Sequence, residues 1–236
     1  MVRIHLAIDL EYTVNSPGAD FIFNVQAAHA PQQTVVWEEL HVSQAVPMSS
    51  HTDPATRTRL LRLSASPGPL QLRYRATLDI AQHVDDPDSV FETPVAQLPS
   101  EVLTYIYPSR YCQSDLMGAR VMREFGQLPQ GHARVVAIQN WVRQHVRFEG
   151  NTTTSATSAM DTLNEGRGVC RDFAHLMIAL CRAVNIPARF ATGTDYGADP
   201  ILGPPDFHAY VEAYLGGRWY IFDPSGTGIP MGFVRI

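Results

Sequence analysis

The chain has 236 residues, 45% of them hydrophobic, and carries 18 basic against 23 acidic residues for a net charge of −5. That is long and apolar enough to bury one large core or two small ones, which excludes a wholly disordered chain. The charges are spread rather than blocked, so neither a nucleic-acid footprint nor an acidic tail stands out, and no nucleic-acid partner is expected.

From Ile4 to Tyr12 the even positions are apolar and the odd ones include His5, Asp9 and Glu11, the period of a half-buried strand. A secretory signal would need a charged start and an unbroken apolar run, and no later stretch reaches the roughly 18 apolar residues of a membrane span. A cytoplasmic protein without a membrane partner is therefore expected. Phe21 to Val25, Val35 to Trp37 and Leu60 to Leu63 add shorter strands, and Leu70 to Ile80 alternates as the first one does. Residues 1–85 are thus predicted to form an N-terminal antiparallel β-sandwich domain. Asp85, Asp86 and Pro87, then Pro94 and Pro99, mark an extended linker over 86–105.

The period then turns helical. Ser114 is expected to cap a helix carrying Leu116, Val121 and Phe125 that stops at Gly126, and a second helix runs from about His132 to Arg147 with Val135, Ile138, Val142 and Val146 on one face. A Thr- and Ser-rich loop, Asn151 to Ser155, leads to a short helix around Met160 and Leu163. After Gly166 and Gly168, read as a tight turn, Val169, Phe173, Leu176, Leu180 and Val184 repeat at helical spacing, which puts Cys170 in a helix's first turn. Unpaired backbone N–H groups and the positive dipole end favour a thiolate there, and a thiolate is the nucleophile.

The other two cysteines offer no disulfide framework. Cys181 lies on nearly the same face as Cys170 but about 16 Å along the axis, too far for a disulfide, and reads as core; Cys112 sits in no motif. His175 points away from Cys170 on the helical wheel and reads as a hydrogen-bonded, half-buried histidine rather than a base.

Phe207 to Leu215 reads as a strand with His208, Tyr210, Glu212 and Tyr214 on one face, and Gly216-Gly217 turns it into a returning strand from Trp219 to Phe222. A two-residue turn pairs Leu215 with Arg218 and so Tyr210 with Asp223, which makes Asp223 the diagonal, same-face neighbour of His208 at roughly 7 Å between Cβ atoms. A slip of one residue would send Asp223 to the opposite face. Nucleophile, general base and orienting carboxylate are then all available: Cys170, His208 and Asp223. Taken alone, Asp223-Pro224-Ser225-Gly226 is also an ordinary turn sequence.

The stretches GRGVCRDFAHLMIALCRAVNIPARFATG and DFHAYVEAYLGGRWYIFDPSG, in this order, resemble the catalytic core of the transglutaminase-like superfamily, and most closely its bacterial branch, whose core often follows a β domain. The resemblance implies an α+β fold with a papain-like, transglutaminase-like core over 106–236, the Cys170, His208 and Asp223 roles above, and an oxyanion hole using the Cys170 N–H. For the second donor it offers Tyr111, in YPSRY, and Asn164. Tyr210 stands where the family usually has Trp, and the apolar end at Met231 to Ile236 reads as a C-terminal truncation, because the family usually continues.

The expected activity is thiol-dependent hydrolysis of an amide in a peptide or protein substrate through a thioester. Transfer of the acyl group from a glutamine to an amine, as in a protein-glutamine gamma-glutamyltransferase, is the alternative outcome of the same triad, and a non-catalytic peptide- or protein-binding module is the alternative of a different class. No cofactor is expected: there is no EF-hand-like loop for calcium, and a metal site from Cys170, His175 and His208 matches no compact zinc spacing.

Overall fold

The structure, a computed structural model, describes residues 1–196, 207–228 and 232–236. The chain is of the α+β class and divides into two units, residues 1–83 with 232–236, and residues 84–231.

The first unit holds the strands β1 (Val2–Val14), β2 (Ala19–Gln26), β3 (Gln33–Val42), β4 (Met48–Thr52), β5 (Arg59–Ala65) and β6 (Gly68–Ile80). They form two antiparallel sheets, ordered β1-β6-β3 and β2-β5-β4. Alternation explains β6: Leu70, Leu72, Tyr74, Ala76, Leu78 and Ile80 are all buried, while Arg75 and Asp79 on the opposite face pair with Asp9 and Arg3 of β1. Strand β4, MSSHT, is exposed throughout, and with no apolar alternation it is not visible in the sequence. The Tyr74 hydroxyl donates to Glu38 Oε2 (2.7 Å) on β3 and accepts from the Ala27 N–H (3.2 Å), and Arg59 on β5 grips the same carboxylate at 2.6 and 2.7 Å. One partly buried polar knot thereby ties two strands of one sheet to a strand of the other. The last five residues, assigned from the sequence to the second domain, fold with this unit: the Gln33 amide donates to the Arg235 carbonyl (2.8 Å) and accepts from its N–H (3.0 Å).

The second unit begins with 3₁₀ turns at Pro87–Ser89, Val95–Gln97 and Leu103–Ile106, so the stretch read as a linker is structured. A further 3₁₀ turn at Ser114–Leu116 precedes α1 (Gly118–Phe125). Ser114 is thus not the predicted cap: its side chain makes no cap bond, it is buried, and Leu116 is exposed. Next come α2 (His132–His145), β7 (Arg147–Phe148), α3 (Ala159–Glu165), β8 (Arg167–Gly168), α4 (Cys170–Ala183), β9 (Ala188–Asp195), β10 (Phe207–Leu215) and β11 (Arg218–Phe222). The sheet places β10 between β9 and β11.

Helix α4 is the axis of this unit. Phe173, Ala174 and Leu176 to Cys181 are all buried, packed with Val135, Ile138 and Val142 of α2 and with Ala209, Val211, Ala213 and Leu215 of β10. The two alanines of β10 let the helix backbone approach the strand closely. On the other face of β10, Glu212 is buried against Arg189 (2.6 Å), whose guanidinium lies 4.0 Å from the Trp219 ring centroid, and Tyr214 packs on Leu98 and Val102. Both faces of β10 are therefore covered, which fixes its register. Among the described residues no helix is long and apolar enough to cross a membrane.

Tyr74→Phe leaves the Ala27 N–H and one Glu38 oxygen short of a partner, and is expected to cost about 1–3 kcal/mol in chemical unfolding. An unchanged unfolding midpoint would show that the knot contributes nothing.

Candidate active site

Cys170 is half-buried at the first position of α4. Two glycines bring it there, for different reasons. Gly166 ends α3 in the left-handed region (φ 63°) and returns its N–H to the Thr162 carbonyl (2.9 Å). Gly168 is needed for space instead, since a Cβ there would lie 2.7 Å from the Cβ of Asp172.

His208 sits near the start of β10 and is only 9% exposed. Strand β11 pairs with β10 only from Val211 onward, with Leu215 opposite Arg218 and Val211 opposite Phe222. The edge of β10 before Val211 is thus left open on that side, and Asp223, the first residue after β11, reaches it. The gap between His208 Nε2 and Asp223 Oδ1 is 3.2 Å. That bond engages Nε2 with the carboxylate, which leaves Nδ1 as the ring nitrogen free to face another group.

The turn after β11 wraps the carboxylate. Asp223 Oδ1 accepts from the Ser225 N–H (3.1 Å) and hydroxyl (2.7 Å), and Oδ2 from the Gly228 N–H (2.8 Å). Behind the turn, Arg143 of α2 donates to the Asp223 carbonyl (2.8 Å) and packs on Gly226, where a Cβ would lie 2.7 Å from Arg143 Nε. Gly226 has φ 68°, so both conformation and space require glycine there. Tyr210, in the position where Trp is usual, meets the His208 ring edge-on at 4.6 Å. The sequence alone does not single out Ser225, Gly228 or Arg143; it carries the turn signal, but not the convergence of the turn's N–H groups on one carboxylate.

Charge in the cluster is strongly polarised. Burial alone would raise the Asp223 carboxyl, but hydrogen bonds from His208, Ser225 and Gly228 outweigh it and hold it at about 2. Burial would likewise push His208 down, yet its bonds to Asp223 and Cys170 raise it to about 10. For Cys170 burial acts to raise the thiol, and the hydrogen bond with His208 and the backbone N–H groups of Ala209 and Arg171 bring it below its ordinary value. A thiolate beside an imidazolium is the state these contacts favour.

Neither expected second oxyanion donor is seen in contact with Cys170, and each has other surroundings. The Tyr111 hydroxyl donates to the Ser155 carbonyl (2.9 Å), which spends its one proton on the 151–157 loop, and its ring stacks on His175 at 5.2 Å. Asn164 is exposed on the last turn of α3. His175 is half-buried as expected, but its Nδ1 has no hydrogen-bond partner; the ring lies between those of Tyr111 and Phe190, and burial lowers it to about 4. Cys112 and Cys181 are buried free thiols, and burial pushes Cys181 up to about 12, which leaves it unreactive. Among the described residues no group of three His, Cys, Asp or Glu could hold a metal ion, and the set Cys170, His175 and His208 does not assemble as one.

Comparison with known proteins adds the lineage. Residues 120–224 match the Transglutaminase-like superfamily, and residues 2–101 match the family described as Bacterial transglutaminase, N-terminal domain. A solved structure from Cytophaga hutchinsonii, provisionally described as a cysteine protease, superposes with a TM-score of 0.88 at 39% identity, covering 99% of this chain and 79% of that one. An uncharacterized protein of Mycobacterium leprae is 31% identical over 124 residues, 51% of this chain and 44% of that protein, so the match spans less than half the length of this curated relative.

The surroundings of the site can be probed through His175 and Gly226. Because His175 titrates near 4 when folded and near 6.5 when unfolded, the unfolded chain takes up a proton first as pH falls between those values, and stability declines over that window. His175→Phe keeps the ring contacts and should flatten that part of a melting-temperature profile; parallel profiles for the two proteins would contradict the assignment. Gly226→Ala should cost about 1–2 kcal/mol through the left-handed backbone and the displaced Arg143, read by chemical unfolding.

Proposed function

The chain belongs to the transglutaminase-like superfamily, and on that footing we propose that it is a thiol-dependent enzyme that hydrolyses an amide or peptide bond, with Cys170, His208 and Asp223 as its triad. The observation that carries this reading is the 3.2 Å contact of His208 Nε2 with Asp223, on a ring that also lowers the thiol of Cys170 at the start of α4. A binding module has no need of a carboxylate held ionised at about 2 solely to keep a nearly buried imidazole charged.

The steps use the groups as placed. The Cys170 thiolate attacks the substrate carbonyl carbon, forming an S–C bond, and the resulting oxyanion takes hydrogen bonds from backbone N–H groups at the helix start, that of Cys170 first among them. His208 gives its Nδ1 proton to the departing amine as the C–N bond breaks, which leaves a thioester and a neutral imidazole. The imidazole then takes a proton from water as the hydroxide adds to the thioester, the S–C bond breaks, and acid and thiolate–imidazolium are restored. Asp223 keeps the ring's orientation and Nε2 proton throughout. The substrate class, a peptide or protein amide, is supported by the description of the Cytophaga hutchinsonii relative.

Incubation with glutamine-containing peptides, with and without a labelled primary amine, tests the outcome. Free acid and ammonia or a cleaved peptide are expected in both reactions, and exclusive label incorporation would show a transferase instead. Cys170→Ala should lower turnover by at least ~10³-fold with the fold retained, and undiminished turnover would remove Cys170 from the mechanism. The rate should hold as pH rises past neutrality and fall as His208 loses its proton, toward about 10.

A further inference from the structure

Helix α4 starts on a residue that cannot cap it. Val169 holds the N-cap position in extended backbone (φ −107°, ψ 175°), and its side chain has no atom that accepts a hydrogen bond. Ser, Thr, Asp or Asn is the usual choice there, and its side chain would bond the N–H of the second or third helical residue, here Arg171 or Asp172. The Asp172 N–H is already given to the Val169 carbonyl (2.8 Å), and the Arg171 N–H faces the Cys170 sulfur. A polar N-cap that took the Arg171 N–H would therefore compete with the thiolate for that donor.

The helix is secured from the inside instead. The side chain of Asp172 is fully buried, and its Oδ2 accepts from the Val169 N–H (2.9 Å) and the Thr153 hydroxyl (2.7 Å), while Oδ1 accepts from Arg171 Nε (3.3 Å). Arg171 Nη2 in turn donates to Thr153 Oγ1 and to the Thr154 carbonyl, both at 3.0 Å. A buried carboxylate is costly unless partnered, and here each partner belongs either to the helix start or to the 151–157 loop beside it. A Cβ at Gly168 would lie 2.7 Å from the Cβ of Asp172 and 3.0 Å from its Oδ2, so only glycine leaves room for this side chain.

We propose that Asp172 is a positioning residue for the acylation step: by clamping the Val169 N–H and Thr153 together, it fixes the direction of the Val169–Cys170 peptide, and so aims the Cys170 N–H at the oxygen of the bound acyl group. This rests on Cys170 being the nucleophile. The ψ angle at Val169 sets where the next N–H points, and as the first residue of the helix Cys170 has no intrahelical acceptor for that N–H. Asp172 touches neither thiol nor substrate, and acts only through the backbone that it holds. Its effect should thus be on oxyanion stabilisation and not on the nucleophilicity of the thiol.

Two reagents separate those effects without a physiological substrate. Iodoacetamide alkylates a thiolate by displacement and forms no oxyanion, whereas p-nitrophenyl acetate acylates it through a tetrahedral oxyanion and releases p-nitrophenolate. In Asp172→Asn, acylation of Cys170 should slow by about tenfold to a hundredfold, while the pH profile of alkylation stays as in the wild type. Thr153→Val, which keeps the carboxylate but removes one of its partners, should show the same split to a smaller degree, and it carries the test if the Asp172 variant does not fold. Parallel loss of both reactions, or loss of neither, would overturn the assignment. A wild-type protein in which Cys170 reacts with neither reagent would instead overturn the nucleophile reading, and this inference with it.

Discussion

The ring of His208 is nearly buried, which should strip it of its proton, yet the protein holds that proton through one contact above all, the 3.2 Å bond to Asp223. A charge in such a place survives only if an opposite charge is held close and cannot itself be neutralised. Much of the second unit supplies that condition. The turn after β11 directs two N–H groups and a hydroxyl at the Asp223 carboxylate, so that it stays ionised and cannot swing away. Arg143 braces the turn from α2, and Gly226 makes the room for it. The polarised imidazole then lowers the thiol of Cys170, and the helix start adds its own N–H groups.

The architecture explains why these groups meet. Helix α4 is buried along most of its length, so the position of its first residue is set by packing rather than by a flexible loop. Its contact with β10 is made through Ala209, Val211, Ala213 and Leu215, and small side chains there bring helix and strand together. Strand β11 ends at Phe222, and the edge of β10 that it leaves uncovered is where Asp223 reaches His208. Cys170 and His208 thus lie on two elements whose positions are each set by packing, as the proposed site requires.

Much of this is legible in the sequence, and the exceptions have identifiable causes. The Gly216-Gly217 turn determines the hairpin register, and with it the placement of Asp223 beside His208, because a two-residue loop leaves one pairing. Strands β1 and β6 emerge from strict alternation, whereas β3 shows only its Val35 to Trp37 segment in the sequence because a bulge breaks its period, and β4, whose five residues are exposed, carries no pattern. Ser114 looks like a cap because serine caps are common, but local propensity yields when the residue is buried by tertiary packing. Tyr111 and Asn164 are candidates by position along the chain, and position does not say which way a side chain points; the Tyr111 hydroxyl serves the 151–157 loop. The surroundings of Asp172 are hidden for the same reason. A carboxylate two residues after Cys170 reads as helix surface until its burial is seen.

The proposed chemistry needs a thiolate that exists near neutral pH because Asp223 keeps His208 charged. The ultraviolet absorbance of the thiolate, followed through a pH titration of the wild type with Cys170→Ala subtracted, measures this directly. The absorbance of Cys170 should appear well below the free-thiol value of about 8.5, and Asp223→Ala should move it upward. A Cys170 thiolate that forms only in the range of a free thiol, with no response to loss of Asp223, would contradict that dependence.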